Sequence, residues 1–433
     1  MKKNIKLTVI LFIGLYCMSA CSNHTETIID SPTVSIADNE DTTVKIPDGF
    51  EIISDRNLFQ EVHENQEYNF KTDHQFYIPN NYETAESEDA YYFLDYFMLY
   101  TWDKTSKEYR PLCGKPDCQH KADEGECNAL VGRAEGLHYY EGSLYTVVAE
   151  SEESSESITL QRISADGTEK KNICKIATCY IDKEKAYDDN VFTVRGIIHR
   201  GYLYYTYNFG TGSGLIDTAY YNNNSNILYR IKLDGTEEAE CIMPLKKGGN
   251  TAQLHFKAAG SYIYFVDSDW QAQGKLYRIN TESKIIEEMG IGEIPAFDYQ
   301  VADGTIVYKK EYDDNQFLIY NPETGEESVF TEMEEISGYE CWDMEYDGKY
   351  FFVYYVRKDN DLNWIRVVID KNGNKVTQFS LYDSEDTPEY FTKAYNGFSD
   401  YFLCSIGLEN ETFYYLDKSL LEKGEANLIE VEK

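Results

Sequence analysis

Positive charge is in short supply. The 433-residue chain carries 40 Lys and Arg against 76 Asp and Glu, a formal net charge of −36. A surface of that sign repels phosphate backbones and anionic headgroups, so nucleic acid is excluded as a partner. Its plainest meaning is solubility. Histidine (7), tryptophan (4) and proline (9) are sparse as well. No Ser/His/Asp set and no spaced acid pair stands out, so hydrolase chemistry has no specific support. Past the N-terminus no stretch carries the 3.6-residue period of a long amphipathic helix, which leaves an all-β chain. The segment NFGTGSGLIDTAYYNNNSN, Asn208 to Asn226, places Gly210, Gly212 and Gly214 as a phosphate loop does. No lysine follows and no helix opens, so it is not one. Ser213 has no G-x-S-x-G frame and is no nucleophile. The acidic turns YDDNQ (Tyr312 to Gln316) and RKDNDLN (Arg357 to Asn363) lack the residue order of a calcium loop and read as solvated hairpin tips.

The N-terminus is informative. Lys2, Lys3 and Lys6 precede a short apolar core, Leu7 to Leu15, which has the form of a secretory signal and is too short to span a bilayer. Met18-Ser19-Ala20-Cys21 follows the pattern of a bacterial lipobox, with Met18 in place of the usual Leu. Cys17 competes, but Tyr16 before it is too bulky for the peptidase. The expectation is a signal peptide over residues 1–20, an acylated Cys21 at the head of a polar tether over 21–45, and a folded unit over 46–433. The protein is then lipid-anchored at the extracytoplasmic face of a bacterial membrane. The alternative is an ordinary signal peptide with a chance cysteine.

Aromatics are abundant: 39 Tyr and 21 Phe. Period-two strings such as YLYYTY, YIYFV and YFFVYYV read as strands. They belong to a repeat. A turn followed by an aromatic strand recurs at Gly142, Gly201, Gly260, Gly304 and Gly348, with looser copies at Asp89 and Asp400. A strand ending in a polar turn recurs between them: LYTWDKTSK, LQRISADGT, LYRIKLDGT, LYRINTESK, FLIYNPETG, VVIDKNGNK, FYYLDKSLL. The spacing is close to the roughly 40–50 residues of a four-stranded propeller blade. One such sheet cannot bury both faces alone, and radial packing of several buries them. Seven copies predict a seven-bladed β-propeller. Six blades plus an extra N-terminal sheet is the alternative.

The LYRINTESK and LYTWDKTSK segments resemble blades of the bacterial TolB/YWTD-type propeller families. Lipobox and Tyr-rich repeats together are similar to propeller lipoproteins of Gram-positive anaerobic bacteria. The resemblance covers about residues 65–433. It implies the fold and carries no catalytic residue across.

Chemistry concentrates in CGKPDCQHKADEGEC, where Cys113, Cys118, His120 and Cys127 fall within one expected connection between blades 1 and 2. Three thiolates and an imidazole suit a closed, structural Zn²⁺ site. An exported protein also meets an oxidising environment, where disulfides form. NICKIATCY repeats the C-x4-C spacing at Cys174 and Cys179, and Cys241 lies near the same place in blade 3, so bridges between neighbouring loops compete with metal. Cys341 and Cys404 fall in expected strands as buried fillers. His138, His199 and His255 fall on expected first strands, but their offsets from the turn glycines differ in parity, which argues against a three-histidine centre.

The expected function is non-enzymatic binding of a protein, peptide or glycan at one rim. Tyr220, Tyr221, Trp270 and Trp364 are the candidate contacts, since aromatic platforms beside Asp and Asn suit such ligands. The alternatives are an extracellular glycosidase or lyase on the same scaffold, and an envelope-assembly scaffold.

Overall fold

In the computed structural model, residues 51–59, 84–95, 97–121, 127–151, 155–180, 190–211, 227–245, 254–268, 273–295, 298–312, 314–358, 360–380, 392–396, 401–406 and 412–431 are described. They form seven sheets, each with four antiparallel strands in sequence order. Blade 1 spans residues 84–111, blade 2 134–180, blade 3 190–244, blade 4 257–295, blade 5 299–332, blade 6 339–380 and blade 7 392–430. First strands of successive blades touch, as in blades 1 and 2, 2 and 3, 4 and 5, and 5 and 6, so the first strand is the inner one and the fourth the outer. The fold is a seven-bladed β-propeller.

The turn landmarks explain the hairpins. Glu141-Gly142, Arg200-Gly201 and Asp303-Gly304 all have positive φ at both residues. Each pair closes a two-residue hairpin, with Tyr140 opposite Ser143, His199 opposite Tyr202 and Ala302 opposite Thr305. That is the type I′ turn, whose twist matches the strands it joins. The third-to-fourth-strand turns use another device. Asp103 Oδ1 accepts the Thr105 and Ser106 N–H groups, and Asp234, Asn280, Asn321 and Asp370 do the same for the residues after them. Some of the aspartates are therefore turn chemistry.

Seven hydrophobic clusters fill the seven joints between blades. Leu99 and Leu144 belong to the joint of blades 1 and 2, Leu160 and Tyr205 to 2 and 3, and Ile197 and Phe265 to 3 and 4. Tyr264 and Tyr308 lie between 4 and 5, Val307 and Phe351 between 5 and 6, and Phe352 and Leu416 between 6 and 7. The last joint closes the ring. Tyr91, Phe93 and Trp102 of blade 1 meet Leu403 and Val431 of blade 7. Among the described residues no strand is exchanged there: the four strands of each of these two blades follow one another along the chain.

The N-terminal piece goes elsewhere. Strand Glu51–Ile53 pairs in parallel with Ile285–Glu287 on the outer edge of blade 4. Six blades with an additional N-terminal sheet is thus overturned: the segment is a fifth strand on an existing blade. Among the described residues no helix is long and apolar enough to cross a bilayer.

Candidate metal centre

The outer strand of blade 1 is short, only Tyr109–Pro111, against Lys170–Tyr180 in blade 2. Where it breaks off, the chain enters the connection that carries the cysteines. Ligand atoms of Cys113, Cys118, His120 and Cys127 all lie within 4.8 Å of one another. This is the one group of three or more such ligands among the described residues. Cys127 Sγ and His120 Nδ1 are 3.7 Å apart. A tetrahedral Zn²⁺ with three sulfurs and one nitrogen has S···N edges of about 3.5 Å, so the donor set suits the ion in type and number, and this one separation is close to such an edge. His120 has φ 57, an uncommon conformation for a residue with a side chain. The backbone bends against its preference where the imidazole joins the thiols.

The neighbourhood is apolar and donor-lined. Ala129 is buried beside Cys113 and Cys127, with Met98 and Leu130 packed around them. Burial pushes the Cys113 thiol up, yet the Lys115 and Asn128 backbone N–H groups and the two nearby thiols outweigh it, and the net shift is down. Burial raises Cys127 to about 11, assisted by Cys118. The two thiols are thus shifted in opposite directions, and metal binding would have to deprotonate both.

Blade 2 clamps this connection from outside. Gly114 N–H donates to Gly167 O at 2.9 Å. Asn128 Nδ2 donates to Gly167 O at 2.8 Å and to Thr168 O at 2.9 Å, and Lys170 Nζ donates to Cys127 O at 2.9 Å and Leu130 O at 2.6 Å. Gly167 has φ +72, and a Cβ there would stand 2.8 Å from Cys113 N and Leu112 O. The same contact recurs one blade on, where a Cβ on Gly235 would meet Ile173 and Cys174. Cys113 and Cys174 therefore occupy matching places, as their spacing predicts.

Among the described residues Cys174, Cys241 and Cys341 do not join the cluster. None of Cys113, Cys118, Cys127, Cys174, Cys241 and Cys341 is disulfide-bonded. Cys341 is 6% exposed and packs in the joint of blades 5 and 6, the filler role expected of it. Cys404 lies in a strand whose side chain is outside the described set. The histidines are separate too. His199 Nε2 bonds Gly260 O at 2.8 Å, and burial holds His138 down to about 4 and His255 well below its usual range. His255 precedes its strand, Lys257–Ala259, and is not on it.

Cys21, Tyr220, Tyr221 and Trp270 lie outside the described residues. Trp364 is in the third strand of blade 6 and not in a loop. Its ring is half-buried, edge-on to Tyr354 at 6.3 Å, with the Arg366 guanidinium 4.8 Å away. Sequence reasoning missed Trp342, Tyr312 and Lys309, which the structure brings to one place. Trp342 is the extra residue of a bulge in the inner strand of blade 6, and no period-two pattern marks a bulge.

No protein-family model matches the chain, and no curated protein matches it. Among solved structures it is similar to TolB from Acinetobacter baumannii, at 12% identity and TM-score 0.38 over 81% of this chain and 78% of that one. It is similar to the propeller domain of the Trilobed protease from Pyrococcus furiosus, described as having an open velcro topology, at 12% identity and TM-score 0.41 over 69% and 83%. Dipeptidyl peptidase 4 of Porphyromonas gingivalis gives 8% and 0.42 over 83% and 60%. These are likenesses of fold. The chemistry is argued from the residues.

Proposed function

We propose that this protein is a membrane-anchored, extracytoplasmic binding scaffold whose blade 1–2 joint is clipped by one structural Zn²⁺. The observation that carries the reading is the convergence of Cys113, Cys118, His120 and Cys127 within 4.8 Å on a connection between blades. Four protein ligands leave the metal no open position, so the ion holds shape and does no chemistry. The short outer strand leaves the connection after it with few ladder bonds, and the clip would hold that connection to itself. A connection held in one shape loses little entropy on binding, which favours recognition of a protein, peptide or glycan. The lipobox at Cys21 supplies the anchor and the compartment.

Two arms test it in cells. Cys21→Ser is expected to move the protein from the membrane fraction to the medium or soluble fraction. A photo-crosslinker at Phe97, which is 54% exposed beside the cysteine connection, is expected to trap a partner. Membrane retention of Cys21→Ser would remove the anchor, and no adduct at Phe97 with none at the other second-to-third-strand loops would remove the binding role. A partner that is a membrane complex makes it an assembly scaffold.

A glycosidase or lyase is the rival reading, and one observation favours it. Asp343 and Glu345 lie on the inner strand of blade 6, and burial, with their mutual repulsion in the case of Asp343, raises both carboxyls. Tyr354 Oη donates to Glu345, however, and the Arg366 and Lys257 charges act on it. That carboxyl serves the fold. Turnover of a glycan by the wild type and not by Asp343→Asn would revive the enzyme.

A further inference from the structure

The joint of blades 5 and 6 presents a second built feature at the ends of its strands. Lys309 directly follows the second strand of blade 5, Thr305–Tyr308, with 0% exposure. Its ammonium donates to Tyr312 O at 2.8 Å, Cys341 O at 3.2 Å and Trp342 O at 3.0 Å. The Tyr312 and Trp342 carbonyls are therefore tied to one buried cation. Each of these residues is exposed, Tyr312 at 38% and Trp342 at 58%.

Trp342 faces out because of the bulge. Cys341 pairs with Tyr355 and Asp343 with Tyr354, so Trp342 has no cross-strand partner of its own and its side chain is thrown to solvent. The contrast with Trp102, 1% exposed and packed against Tyr91, Tyr401 and Tyr415, is plain.

Two carboxyls lie near the same ammonium. Asp298 is 2% exposed, and its Oδ2 accepts no hydrogen bond. Its ion-pair cation is Lys309 at 3.8 Å, already engaged by three carbonyls. Asp343 follows Trp342 directly. Burial, then the charges of Asp298 and Asp343, push the Tyr312 phenol up to about 12, which places all three groups in one field. Glu340 shares the strand of Trp342, and Glu311 and Asp314 flank Tyr312, while neighbouring Lys310 is bound to Glu327 at 2.8 Å. An open indole and an open phenol on an acidic surface, beside buried carboxyls that a further cation would help to ionise, suit a cation.

We propose that Trp342 and Tyr312, beside the buried carboxyls of Asp298 and Asp343, form a subsite for a lysine or arginine side chain on a basic segment of a partner protein. This rests on the binding-scaffold reading and names the partner's chemistry. The chain already uses such contacts internally: Arg366 stacks 3.3 Å from the Tyr354 ring centroid and Lys107 3.6 Å from that of Tyr401.

The test is titration of the full chain, in detergent at about 0.15 M salt, where surface charges are well screened, with a hexa-arginine peptide. Trp342→Ala and Tyr312→Ala are compared with wild type. Neither substitution changes the charge, so non-specific attraction to an acidic surface stays constant. Trp342→Ala is expected to weaken binding roughly 3- to 30-fold, the range of one cation–π contact. Unchanged affinity in both variants, with melting as in wild type, overturns the subsite. So does Trp342-dependent binding of a neutral chito-oligosaccharide together with Trp342-independent binding of the peptide, since that makes it a glycan platform. The crosslinking test at Phe97 uses neither peptide nor these residues, so failure here and failure of the scaffold reading are separate results.

Discussion

Tyr91 and Tyr401 are 310 residues apart in sequence and joined by a 2.7 Å hydrogen bond, Tyr91 Oη to Tyr401 O. That contact sits at the one joint where the two ends of the ring meet. Trp102 lies edge-on to Tyr401 at 5.4 Å, and Lys107 caps the Tyr401 ring at 3.6 Å. Side chains hold this joint where a shared strand would otherwise do so. Trp102→Ala removes the largest buried ring there and is expected to cost about 3–5 kcal/mol. Tyr91→Phe removes one hydrogen bond, about 1 kcal/mol. Denaturant unfolding measures both. The same loss from Phe265→Ala, inside the joint of blades 3 and 4, tests whether the ring unfolds as one unit: separate transitions for the two variants would show that it does not.

Gly167 couples blade 2 to the cysteine connection. With φ +72 and no room for a Cβ against Cys113 and Leu112, Gly167→Ala must shift the chain that carries the first ligand. The left-handed conformation alone costs a non-glycine residue about 1–2 kcal/mol. The expected result is a lower melting temperature and faster loss of Zn²⁺ to a chelator. Gly142→Ala, also at positive φ (+77) but with nothing within 4 Å of its Cβ, is expected to lower stability without hastening metal loss. Equal metal kinetics in the two variants would separate Gly167 from the site.

Asp343 makes stability depend on pH. Burial first, then the charge of Glu345, raises its carboxyl from the ordinary 3.8 to about 7, with Lys257 and Lys309 opposing. Between these values the unfolded chain has lost the proton and the folded chain keeps it. The folded state then binds more protons, so this group's contribution falls as pH rises from about 4 to about 7. Asp343→Asn does not titrate. Its melting temperature is expected to fall less than that of the wild type over that interval. Parallel curves would mean that Asp343 ionises normally.

Hairpin chemistry was the most legible part of the sequence. Glu141-Gly142, Arg200-Gly201 and Asp303-Gly304 state their turn type outright, and the Asp or Asn in most outer turns states the other, so blade number and order follow from local rules. The Cys/His set was legible as a set because its members lie close in sequence. Its choice between thiol chemistries was not, since that depends on whether side chains converge. Three features were hidden because they arise from tertiary packing. The bulge at Trp342 leaves no mark on a strand pattern. Lys309 looks like any strand-end lysine until three carbonyls are folded onto it. Glu51–Ile53 is too short to announce that its partner is blade 4.

Native mass spectrometry of the full chain, with thiol alkylation before and after denaturation, tests the central claim most directly. The account predicts one zinc per chain, three thiols protected from alkylation until the metal leaves, and loss of the ion in Cys127→Ser. A metal-free chain lighter by two hydrogens per bridge, with Cys113, Cys118 or Cys127 in disulfides, would contradict it.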